Sequence, residues 1–98
     1  MSTAEQIVER DRRRAVLAAL MVAPAYMMPL RGLREQLALV GYAVSTDRLE
    51  TDCAWLAEQG LIDYAHQVAT LGDRGADVVL GRAQVPGVQR PEPGQARG

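Results

Sequence analysis

The chain has no lysine, one cysteine, one histidine and no long apolar run, and each absence removes a class of protein. A lone cysteine, Cys53, closes no internal disulfide, so the 98 residues must be held by an ordinary core. Cys53 lies within an apolar helical pattern and reads as a small buried hydrophobe. His66 is thirteen positions away, and a closed zinc site built on these two would need several carboxylates besides. No metal is expected. Nothing approaches the roughly 20 consecutive apolar residues of a membrane helix. The opening Met1-Ser2-Thr3-Ala4-Glu5-Gln6 lacks the basic, apolar, small-residue order of a signal peptide. A cytoplasmic protein without membrane contact is expected. There is no carboxylate pair near a histidine, no phosphate-cradling glycine loop, and no serine or cysteine nucleophile with a base at hand. Catalysis and cofactors are therefore not expected.

All eleven basic residues are arginine. A GC-rich coding source explains that most simply, although arginine also suits phosphates and base edges better than lysine does. The formal net charge is only −1, so no strong field draws the whole chain to nucleic acid. With 48% apolar and 23% charged residues, the composition is that of one folded domain with a modest core.

The pattern predicts four helices and a hairpin. Ile7, Val8, Ala15, Leu17, Leu20 and Met21 recur at helical spacing from Thr3 to about Val22, with Ser2 or Thr3 as cap and Pro24 as stop. Ala25 to Met28, fenced by Pro24 and Pro29, reads as a short extended piece, an edge strand at most. Leu30, Leu33, Leu37 and Val40 mark a second helix ended by Gly41. Ser45 caps a third, which runs to Gln59 on an inner stripe of Leu49, Cys53 and Leu56. Leu61 to Ala65 and Val68 to Leu71 flank His66-Gln67 as a hairpin, without the Asn-Gly or Gly-X that two-residue turns prefer. A last helix is expected from Asp73 to Leu80. The fold class is mainly α with a small β-hairpin, a winged helix-turn-helix over residues 1–84. The Pro- and Gly-rich stretch 85–98 reads as a flexible tail.

Leu56-Ala57-Glu58-Gln59-Gly60-Leu61-Ile62 resembles the step from recognition helix to wing in winged-helix regulators, and Leu71-Gly72-Asp73-Arg74-Gly75 the turn that opens their next helix. More widely, Asp11 to Arg14, Ser45 to Ile62, and Gly81-Arg82-Ala83 with Val85 to Val88 and Arg90-Pro91 resemble short winged-helix proteins of Mu-like phages and prophages. Those are often labelled arsenic-repressor-like regulators. The resemblance implies a phage or prophage source and DNA binding. Gly72 departs from it, standing where the family places a threonine, which leaves the helix start open by a residue or two. Nor are the metal-sensing cysteines of true arsenic repressors present.

If the third helix reads DNA, its N-terminal half meets base edges. Arg48 can then take a guanine bidentately, Thr46 or Thr51 a phosphate or a thymine methyl, and Glu50 a cytosine amino group. Arg31 and Arg34 open the second helix, which crosses the backbone in this motif, and His66 and Gln67 form the wing tip. The plain alternative has Arg48 pairing with Asp47, Asp52 or Glu50 on a solvated surface. Arg12, Arg13 and Arg14 read as a solvated face, and Arg74, Arg82, Arg90 and Arg97 as a weak basic arm. Asp47, Glu50 and Asp52 repel phosphate unless paired, and a wing without arginine is a poor minor-groove probe. Two functions stay open: a phage regulator that binds double-stranded DNA, as a monomer or a homodimer, and a module that binds a protein partner.

Overall fold

The computed structural model describes residues 3–90. Helix α1 (Ala4–Met21) leads through a 3-10 turn (Pro24–Tyr26) to strand β1 (Met27–Pro29) and helix α2 (Leu30–Leu39). Helix α3 (Thr46–Glu58), strands β2 (Ile62–Ala65) and β3 (Val68–Leu71), and helix α4 (Asp73–Val79) follow. The strands form one antiparallel sheet in the order β1-β3-β2. A mainly helical body with a small three-stranded sheet in this order is consistent with a winged-helix-like layout. Among the described residues no helix is long and apolar enough to cross a membrane.

Thr3 starts α1 through a capping box. Its hydroxyl accepts from the Gln6 backbone N–H at 3.2 Å, and the Gln6 side chain accepts from the Thr3 N–H at 2.9 Å. The buried stripe of α1 is Val16, Leu17 and Leu20 with Arg12 one turn earlier. Ile7 and Val8, expected inside, are 44% and 49% exposed, because the first turns of α1 overhang the body. Leu30, Leu33 and Leu37 of α2 and Leu49, Cys53 and Leu56 of α3 complete the core as the periodicity predicts. Val40 does not join them. It is the helix C-cap and is 65% exposed.

The extended piece starts two residues later than expected. Ala25 and Tyr26 have φ of 55° and 58°, a left-handed pair that turns the chain before Met27. Pro29 closes the strand at the sheet edge, where a missing N–H costs no ladder bond. The hairpin turns at His66-Gln67, with φ of 52° and 58°, the two left-handed residues of a type I′ turn. The Leu30 N–H donates to the Gln67 carbonyl at 2.8 Å, anchoring that turn to the start of α2. Gly72 caps α4 without a side-chain bond, and the helix begins at Asp73. Gly75 is required there, because a Cβ would lie 2.2 Å from the Leu61 carbonyl oxygen.

The domain does not stop at residue 84. Val85 and Val88 are buried, and the Gln89 N–H donates to the Arg10 carbonyl at 3.2 Å. Residues 85–90 form a strap along α1. Two valines three positions apart bury enough apolar surface to seat a segment whose average composition is that of a linker. The rest of the expected tail, 91–98 with Arg97, lies outside the described residues.

Candidate nucleic-acid interface

Ser45 begins α3 by accepting from the Arg48 N–H at 3.0 Å, which settles its role as a cap. The first turns of α3 then present Thr46, Asp47, Arg48 and Thr51 to solvent. Thr51 donates its hydroxyl to the Asp47 carbonyl at 3.1 Å, leaving the oxygen lone pairs and the methyl outward. Arg48 pairs with none of its helix neighbours. Its guanidinium lies 3.9 Å from Glu9 of α1, and the side chain stays 58% exposed. At that exposure the pair holds Arg48 only weakly.

Glu50 points to the hairpin. It accepts from the Tyr64 hydroxyl at 3.2 Å and from the Gln67 side-chain amide at 3.5 Å. Burial first, and then the charge of Glu50, push the Tyr64 hydroxyl up to about 12, so it stays a donor at neutral pH. Glu50 therefore ties α3 to the hairpin through its Oε2, which accepts both bonds. Tyr64 was not singled out from the sequence. Its place opposite Glu50 depends on strand register, which no local pattern reveals.

Of the arginines opening α2, Arg34 donates its Nε–H to the Val44 carbonyl at 2.8 Å and braces the α2–α3 turn. Arg31 is exposed and forms no ion pair among the described residues. His66 and Gln67 sit exposed at the hairpin tip. Arg74 donates to the Gln59 carbonyl, and Arg82 lies 3.9 Å from Asp77.

The Arg12–Arg14 run is not a uniform solvated face. Arg12 is 6% exposed and grips Asp52 with two bonds, Nε at 2.5 Å and Nη2 at 3.1 Å. The hydrogen bond to Asp52 raises the Arg12 pKa against the opposing cost of burial. Arg13 lies with its guanidinium 4.0 Å from the centre of the Trp55 ring, donates to the Gly87 carbonyl at 3.1 Å, and pairs with Glu9 at 3.2 Å. Asp52, counted above among the residues that repel phosphate, is thus 1% exposed and faces two arginines. Spacing could have shown it. Leu49, Asp52, Cys53 and Leu56 form one helical stripe, as do Arg12, Val16 and Leu20. Cys53 is fully buried, and that burial, with the nearby acids, pushes its thiol up to about 12.

These residues define a small, mainly helical domain whose exposed helix N-terminus is fastened to a three-stranded sheet. The chain is 38% identical over 91 residues to the uncharacterized protein gp26 of Escherichia phage Mu, covering 89% of this chain and 94% of that protein. It belongs to that Mu phage protein family. No protein-family model matches the chain, and no solved structure does.

Proposed function

We propose that this chain is a winged-helix protein of phage or prophage origin that binds double-stranded DNA in the host cytoplasm as a regulator, without catalysis or cofactor. One observation carries the reading. The bonds from Tyr64 and Gln67 to Glu50 join α3 and the hairpin tip into one unit. Thr46, Arg48 and Thr51 on the helix and His66 and Gln67 on the turn then move together, as a groove-reading helix and its wing must. Arg31 and Arg34 supply phosphate contacts beside them.

Fluorescence anisotropy on fragments of the protein's own genome, at two salt concentrations, tests this. A preferred fragment should emerge, with affinity that falls steeply as salt rises. Arg48→Ala should weaken binding to that fragment by about 1–3 kcal/mol. Weak binding that ignores the fragment and vanishes at physiological salt would sink the DNA reading.

A second reading has its own support. Arg12 and Arg13 are committed inside the fold, so the exposed start of α3 sets Asp47 against Arg48 and carries little net charge. Such a face suits a protein surface. Stoichiometric recovery of one protein in pull-downs, alongside shallow salt dependence on DNA, would favour it.

A further inference from the structure

We propose that the chain self-associates face to face over the groove between the first turns of α1 and the start of α3, its partner being a second copy of itself. The groove encloses about 610 Å³, and Glu5, Val8, Glu9, Val44, Ser45 and Arg48 are among its lining residues. Its walls carry opposite charge. The α1 wall bears Glu5 and Glu9, together with Arg12 whose charge is taken up by Asp52, and the α3 wall bears Arg48. Glu9 approaches Arg48 at 3.9 Å across the gap, while Glu5 is exposed and forms no ion pair among the described residues.

An acidic wall facing a basic wall is its own complement under a two-fold rotation. A rotation axis through the groove sets the Glu5 of each copy opposite the Arg48 of the other, twice over. Apolar surface is present to be covered: Val8 lines the groove at 49% exposure, Ile7 beside it is 44% exposed, and Val44 and Ala43 line the far side. The two other candidate occupants fit worse. DNA would set its phosphates against Glu5 and Glu9. An uncharged apolar peptide would leave both charged walls without a partner.

This self-association does not depend on the DNA reading, but one consequence does. The paired copies cover Ser45 and Arg48, so in a DNA-binding protein self-association and DNA binding compete.

Sedimentation velocity on the full chain across micromolar to millimolar concentration should show the 10.6 kDa chain pass to twice that mass. Val8→Asp should hold it as a monomer. Its side chain is exposed, and unchanged circular dichroism would confirm that the fold is intact. Glu5→Arg and Arg48→Glu should each weaken the dimer by about tenfold, and the two together should restore it. A single-chain mass at every concentration, a dimer indifferent to Val8→Asp, or a double variant no better than either single would overturn the proposal. If the dimer behaves as expected and neither wild type nor Val8→Asp binds DNA, self-association stands and the DNA reading alone falls.

Discussion

The two sides of helix α3 use charge in opposite ways. Inward, Asp52 is sealed between Arg12 and Arg13, and Trp55 lies under the Arg13 guanidinium and against Gly87. Outward, Arg48 has one loose contact to Glu9 and Thr46 is exposed. The same residue types therefore fix the helix on one side and stay available on the other. Charges on a short helix cannot be summed as one surface, because a shift of three or four residues decides between core and solvent.

The sharpest way to break this contrast is to leave one inner charge without its partner. Asp52→Ala strands a buried arginine and should lower stability by about 3–5 kcal/mol, read by urea denaturation. A loss below about 1 kcal/mol would mean that the inner side is no more demanding than the outer. Gly87→Val comes next. The glycine has φ of 98°, and a Cβ would lie 2.7 Å from the Trp55 ring. The strap should lift at a cost of about 1–3 kcal/mol, with a shift in tryptophan emission.

A pH titration sharpens the comparison further. Cys53, on the inner side, and Tyr64, in β2, have pKa values raised from 9.0 and 10.0 to about 12. The folded state holds these protons more tightly than the unfolded one. Their contribution is full below about pH 9 and declines as pH climbs toward 12. Denaturation midpoints should fall across that window, and Cys53→Ala should delay the onset until Tyr64 begins to titrate. The smallest expected effect lies at the hairpin tip. His66→Asn with Gln67→Gly supplies the residues a type I′ turn prefers and should stabilise by about 1 kcal/mol in thermal unfolding. A lower melting temperature would show that the Gln67–Glu50 bond outweighs the relief of backbone strain.

Much of the fold was legible in the sequence where local rules decide it. The caps at Thr3 and Ser45 and the Leu30–Leu33–Leu37 face follow from spacing and side-chain chemistry, and the two-residue hairpin turn from the spacing of its flanking apolar stretches alone. The left-handed Ala25-Tyr26 pair was not legible, because neither residue type favours that conformation. The boundary at residue 85 was misplaced because the proline and glycine content of the tail hid Val85 and Val88. At the candidate site, the exposure of Thr46, Arg48 and Thr51 could be read from the helix period. The bonds of Glu50 to the hairpin could not, since they join residues 14 and 17 positions apart.

The strap also has a mechanical consequence. Val85, Gly87 and Val88 bind the chain to the back of α3 and to α1, just before residue 90. A pull on the chain past residue 90 would load the Gln89–Arg10 bond on α1 and the seat of Val88 before it reached Gly87 and Trp55. The sole tryptophan, packed against Gly87, would therefore register the strap's release only after its end has come away from α1.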